Sequence, residues 1–308
     1  MRCQRRGDLG MLRSHPISRR LHRVSLELLD FVAQLGPLRA TLSAKPAIRG
    51  NEQKRRDRAI SVFWGMACHT LFGIAVSAMI ISLWFGMSRS LGTVPAPWHW
   101  VANIFLLLQF PIAHSVLLTR AGNKVLTRMA PLGTGRTLST TTYAMIASIQ
   151  LLALFLLWTP SGIIWWQATG FSYWLVATLF AASWILLIKA SWDAGAEVQS
   201  GLLGWVSLLR GVSPQFPPMP TTGLFRAVRQ PIYVSFALTT WTVPTWTPDQ
   251  LIVASVLTAY CLIGPLAKER RFARMYGAAW ESYRRRTPYW VPTAFGLRIM
   301  QKKKDGNR

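Results

Sequence analysis

From Arg58 to Trp192 the chain carries no Asp or Glu, and long apolar runs fill that stretch. A water-soluble domain needs acidic as well as basic side chains on its surface, whereas a chain solvated by lipid needs neither along its spans. The wider composition agrees: 51% of the 308 residues are hydrophobic, 15 are Trp and only 15% are charged, although the formal net charge is +24. A nucleic-acid binder can carry such a charge but does not usually combine it with this apolar content. Nucleic acid is therefore not an expected partner, and membrane lipid is.

Six apolar segments approach the ~20 residues a helix needs to cross a bilayer. They are Ile60–Met87, Trp98–Leu118, Leu138–Trp158, Phe171–Ile188, Ile232–Trp246 and Leu251–Ala267, the fifth being marginal. Basic residues give an independent check. Of the 35 Lys and Arg, 34 fall in the termini and the even-numbered loops, and Arg89 alone falls on the other side. The positive-inside rule then places both termini in the cytoplasm, with six crossings between them. Trp84, Trp98, Trp100, Trp158, Trp165, Trp166 and Trp246 come at the expected outer ends, where indole rings anchor in headgroups. Thr245 to Gln250, with Pro244 and Pro248 beside it, predicts a tight turn that makes the last two segments a hairpin. The expected fold is an all-α, polytopic integral membrane bundle of about six transmembrane helices.

Residues 1–58 differ from the rest and read as a basic cytosolic arm, partly disordered, with 59–308 forming the membrane domain. One helical stripe in the arm (Leu21, Val24, Leu28, Val32, Leu35) suits an anionic membrane surface. The same letters also fit a translation start at Met11 or a transit-like leader. No secretory signal opens the chain, so targeting is expected from the first span. Cys3, Cys68 and Cys261 are too scattered for a disulfide framework or a CxxC metal site. No phosphate loop, HExxH or GxSxG motif competes as a source of chemistry.

Chemistry-bearing residues concentrate in two cytoplasmic regions. Asp193 to Tyr233 contains Asp193, Glu197, Gln199, Arg226, Arg229 and Gln230; Lys268 to Pro292 contains Glu269, Glu281, Tyr283 and three consecutive arginines, Arg284 to Arg286. Each has a structural alternative. Arg226, Arg229 and Arg284 to Arg286 can be positive-inside anchors, Glu269 can pair with a nearby Arg, and Asp193 and Glu197 can satisfy local donors. Glu281 and Tyr283 can be packing residues of an exposed tail. His114 is a polar ring near the inner end of a membrane helix, which marks either function or a bond between helices. His69, inside the first span, reads as structural.

One pattern unites these regions: Gly223-Leu-Phe-Arg-Ala-Val-Arg229-Gln230-Pro231-Ile-Tyr233, an apolar hairpin, then Glu269, Tyr276-Gly277, Tyr283 and Val291-Pro292. It resembles the isoprenylcysteine carboxyl methyltransferase superfamily, whose signature runs G-x-Y-x-x-x-R-H-P-x-Y, hairpin, E-E, F-G, Y-x-x-Y, V-P. Within it, the pattern most resembles the bacterial methanethiol S-methyltransferases, with likeness extending through His114-Ser115, Arg120, Lys124 and Thr240 to Thr245. Among the departures from the signature, Gln230 replaces His, Lys268 replaces the first Glu, and Phe225 replaces Tyr. Gln keeps hydrogen-bonding capacity but cannot titrate near neutrality.

The resemblance implies a membrane methyltransferase that uses S-adenosylmethionine, with a cytoplasmic C-terminal cofactor site in a bacterial inner-membrane protein. It implies Arg229 and Glu269 for the cofactor's charged end, Phe225, Val228, Pro231 and Tyr233 for its walls, and Gln230 for orientation. Arg229, Glu269 and His114 are the expected catalytic residues, with His114 on the acceptor side and no metal. The implied acceptor is a small thiol such as methanethiol. A prenylcysteine carboxylate or a lipid-like acceptor is an alternative, as is a non-catalytic protein resembling the NnrU group. The oligomeric state stays open.

Overall fold

The structure, a computed structural model, describes residues 38–292. The chain order is α1 (Arg39–Ser43), α2 (Asn51–Trp84), α3 (Trp98–Leu117), α4 (Arg120–Met129), α5 (Gly135–Leu157), β1 (Trp166–Gln167), α6 (Gly170–Asp193), α7 (Ala196–Gln199) and α8 (Leu202–Arg210). A 3₁₀ turn at Gly223–Arg226 follows, then α9 (Pro231–Trp241), β2 (Thr245–Trp246), α10 (Pro248–Tyr276) and α11 (Ala278–Arg286). The protein is a polytopic all-α membrane bundle. Among the described residues, five helices are long and apolar enough to cross a bilayer: α2, α3, α5, α6 and α10. The stripe proposed for the arm lies outside the described residues. The end of the basic segment is part of α2, which starts at Asn51 and holds Asp57 buried against Arg49 at 2.8 Å.

The fifth apolar segment differs from the expected span for a local reason. Its helix, α9, ends at Trp241 after 11 residues, about 17 Å, too short to cross alone. Pro244 offers no amide hydrogen to a further turn and biases Val243 away from helix. The freed Thr240 carbonyl is not left bare, because Gln250 Nε2 donates to it at 2.6 Å, as a lipid-embedded backbone requires. After bends at Thr242 and Pro244 the chain enters β2, which pairs antiparallel with β1, Trp166 facing Trp246. Because β1 lies in the α5–α6 connection, the short helix plus its continuation brings the chain to that same end of the bundle. The direction of the sixth segment is thus the expected one.

Apolar side chains cover the outside of the bundle as well as filling its inside. Phe63, Phe72, Ile104, Phe105, Ile112 and Ile185 are exposed on the bundle's flanks. Leu83, Leu154, Phe155, Val253 and Leu257 fill its centre. Lipid tails are as apolar as these residues, so cohesion comes from close packing and hydrogen bonds between helices. Gly204 of α8 meets Thr141 of α5 so closely that a Cβ would sit 2.5 Å from the Thr141 hydroxyl. That hydroxyl donates to the Gly201 carbonyl at 2.7 Å. Gln109 and Gln150 join α3 to α5, each side-chain amide donating to the other's backbone carbonyl at 2.9 and 3.3 Å. His69 accepts from Trp205 Nε1 at 3.0 Å, in accord with its structural reading.

At the β1–β2 end, Trp98, Trp100, Trp165 and Trp166 are exposed as a headgroup belt requires. Trp158 is a correction to that belt. It is buried, and its Nε1 donates at 3.0 Å to Asp249, whose other oxygen accepts from Ser161 N and Oγ at 2.9 and 2.6 Å. Asp249 thereby ties the end of α5 to the start of α10.

Candidate active site

The opposite end of the bundle collects the signature residues. Its scaffold starts at Asp193, the last residue of α6, whose carboxylate accepts from Leu224 N at 2.9 Å and from Lys189. The contact explains why residue 223 is glycine: φ is +59°, and a Cβ there would lie 2.2 Å from the Asp193 carboxylate. The 3₁₀ turn that results buries Phe225 and points its carbonyl at Tyr283 of α11, whose hydroxyl donates to it at 2.7 Å. Burial pushes the Tyr283 phenol well above its ordinary range, which keeps this donor protonated.

Pro231 occupies the first position of α9, where its missing amide hydrogen costs nothing, and Gln230 precedes it outside the helix. The side chains of Arg229 and Gln230 converge there on Glu269 of α10. Arg229 Nε donates to Glu269 Oε1 at 2.9 Å and Nη2 to Oε2 at 3.4 Å. Gln230 Nε2 donates to the same Oε1 at 2.7 Å. Arg229 Nη1 completes the arrangement by donating to the carbonyls of Arg284 and Thr287 at 3.1 and 2.6 Å, closing the C-terminal segment over the pair. Both members of the pair are only 12% exposed, so the attraction is far less screened than on an open surface. Tyr289 lies 5.4 Å from the Arg229 guanidinium, and burial, aided by Glu269, pushes its phenol up to about 12.

Of the residues expected as walls, Phe225, Val228 and Pro231 are buried, and Tyr233 is half-buried in the first turn of α9. Lys268, next to Glu269, directs its ammonium at the rings of Phe225, Tyr233 and Phe272, at 6.0, 5.5 and 5.8 Å from their centroids. Gln230 is 1% exposed and its Oε1 has no hydrogen-bond partner among the described residues. A buried, unpartnered acceptor is costly.

His114 is placed elsewhere. On α3 it stacks obliquely with Phe110 and Tyr143 at 5.0 and 4.9 Å, and its Nδ1 is buried with no partner among the described residues. None of its hydrogen bonds or ring contacts reaches Arg229, Gln230 or Glu269. Sequence reasoning missed the role of Asp193 as a lock on the Gly223 turn, and it read Lys268 only as a lost acid. The signal for the first was a glycine at the start of the turn; for the second, aromatic residues spaced along three segments give no local signal.

These features define a class: a polytopic helical membrane enzyme with a polar site at one end of its bundle, closed by the C-terminal segment. Methanethiol S-methyltransferase 2 of Bradyrhizobium diazoefficiens is 30% identical over 198 residues, 64% of this chain and 75% of that protein. A second enzyme of the same organism, methanethiol S-methyltransferase 1, is 24% identical over 259 residues, 81% of this chain and 87% of its own length. The methanethiol S-methyltransferase of Mycobacterium tuberculosis is 27% identical over 193 residues, 62% and 78% of the two chains. No family profile and no solved structure matches the chain. The chain belongs to the methanethiol S-methyltransferase family.

Proposed function

We propose that the protein transfers a methyl group from S-adenosylmethionine to a small thiol such as methanethiol, at the basic end of its bundle. One observation carries the reading: the Arg229–Glu269 pair is bound to Gln230, whose second polar atom is buried and unused. A side-by-side guanidinium and carboxylate present both charges that an amino-acid zwitterion needs, and Gln230 Oε1 adds an acceptor for an ammonium or amine hydrogen. Phe225, Val228, Pro231 and Tyr233 supply apolar walls suited to an adenosine. When bound, S-adenosylmethionine supplies a methyl group already activated on a sulfonium.

The chain's own task is then placement. Holding nucleophile and methyl carbon at about 3 to 3.5 Å supplies most of the rate in such a displacement, with little acid–base apparatus. Arg229 and Glu269 anchor the donor, Gln230 orients it, and the segment from Thr287 to Trp290 excludes water. His114, with its free Nδ1 between Phe110 and Tyr143, serves as a polar contact on the acceptor's side. The basic end faces the cytoplasm of a bacterial inner-membrane protein, where a charged, water-soluble donor arrives; the acceptor partitions through lipid or water.

The test is binding of labelled S-adenosylmethionine to the detergent-purified protein, followed by headspace detection of dimethyl sulfide when methanethiol is added. Binding with dimethyl sulfide release is expected. Binding without methylation of any thiol, but with methylation of a prenylcysteine or lipid acceptor, would move the protein to a different substrate class. No binding would make it a non-catalytic membrane protein of this fold.

A further inference from the structure

Methyl transfer to a thiol needs the thiolate, so some group must take the thiol's proton. Around the site most candidates are committed. Arg229 offers only donors and is bonded to Glu269 and two carbonyls. Glu269 accepts from both Arg229 and Gln230. Tyr283 donates to the Phe225 carbonyl and Tyr289 to the Leu262 carbonyl, each at 2.7 Å. Gln230 cannot titrate.

Lys268 is different. Among the described residues it makes no hydrogen bond and no ion pair, and its head lies against Phe225, Tyr233 and Phe272, two of which are walls of the proposed donor site. Ring faces attract a cation but do not fix a proton as a carboxylate would. Glu269, the acid next to it, is already neutralised by Arg229. The charges acting on Lys268 are Glu269 and Arg271 on its own helix; the facing elements contribute rings and, as a titratable group, the Tyr233 hydroxyl. A sulfonium entering the same surroundings repels the ammonium and favours the free amine. Lysine, unlike arginine, can give up that charge.

We propose that Lys268 is the proton acceptor for the thiol, taking from the chain's own lysine the service that Gln230 cannot perform. The inference rests on the proposed methyltransferase function. The Lys268 amine takes the S–H proton. The thiolate's lone pair forms the new S–C bond while the donor's methyl–sulfur bond breaks, its electron pair staying on the donor's sulfur, which becomes a neutral thioether. The Lys268 ammonium then returns its proton to water.

The test compares wild type with Lys268→Met and Lys268→Arg. Labelled S-adenosylmethionine binding is measured first, then initial rates with methanethiol, a weakly acidic thiol, and with thiophenol, which is largely ionised at neutral pH. For Lys268→Met the proposal expects donor affinity within about threefold of wild type, a methanethiol rate lower by about 100-fold or more, and a thiophenol rate lower by less than about fivefold. Lys268→Arg, a permanent cation, is expected to fail with methanethiol as well. Equal losses with both thiols, full methanethiol activity in Lys268→Arg, or tighter donor binding by Lys268→Met at unchanged rate would each overturn it. Wild type that neither binds the donor nor methylates either thiol would overturn the methyltransferase reading itself, an outcome separate from any failure confined to the variants.

Discussion

Gln230 shows how one residue's two ends divide its work. Its amide nitrogen bonds Glu269 and so stiffens the ion pair, while its oxygen is buried without a partner. Replacing it by Ala removes both. We expect Gln230→Ala to weaken binding of labelled S-adenosylmethionine by about tenfold, the value of one hydrogen bond to a charged group. Gln230→His restores a ring N–H toward Glu269 and a second ring nitrogen where Oε1 now sits, so it is expected to bind the donor at least as well as Gln230 does. Equilibrium binding to the two purified variants decides this, and equal affinity of Ala, Gln and His at 230 would remove residue 230 from the donor site. That Arg229 and Glu269 belong together was legible in the sequence, because order and spacing place them at the two feet of one hairpin. That they bind each other was legible only as an alternative reading, since a sequence does not say whether two opposite charges face a ligand or one another.

Elements are positioned here by groups that hydropathy does not register. The apolar run from Ile232 to Trp246 reads as a span because its residues are apolar, yet Pro244 and the Gln250 side chain end its helix at Trp241. Trp158 reads as a belt residue because it closes an apolar run, yet Asp249, distant in sequence, takes its N–H into the interior. The five long helices were legible because length and lipid solvation constrain them directly. Element α7 adds a group that works against stability. Glu197 is 1% exposed, one of its oxygens has no partner among the described residues, and burial raises its carboxyl above the ordinary range. Between that ordinary range and the raised value the folded chain binds the proton that the unfolded chain has lost, so stability falls as pH rises through the window and stays reduced above it. Glu197→Gln removes this penalty. The variant is expected to be more stable by about 1 to 2 kcal/mol at neutral pH and to lose that advantage near pH 4. Thermal unfolding in detergent at the two pH values checks it; an advantage independent of pH would mean that packing, not charge, separates the two side chains.

Across the whole molecule the decisive quantity is the distribution of charge. Both exposed tryptophan pairs and the β1–β2 contact lie at one end, and the Arg229–Glu269 pair with the arginines of α11 lies at the other. From Pro248 to Glu269 α10 rises about 32 Å, close to the ~30 Å of a bilayer's hydrocarbon core, so the ion pair sits at a membrane boundary and not at the midplane. A donor carrying a sulfonium and a zwitterion can reach that boundary from water without entering lipid, provided that the basic end is the cytoplasmic one. Single-cysteine labelling tests the orientation. Cys68 and Cys261 are buried, so with Cys3 replaced by Ser, a cysteine at Gly162 or at Arg285 is the accessible thiol in each variant. Gly162 lies in the α5–α6 connection and Arg285 in the last turn of α11. A membrane-impermeant maleimide is expected to label Gly162→Cys in intact cells and Arg285→Cys only after the membrane is opened. The reverse result would put the polar site on the outer face, where no cytoplasmic methyl donor reaches it, and the proposed reaction would fail with the topology.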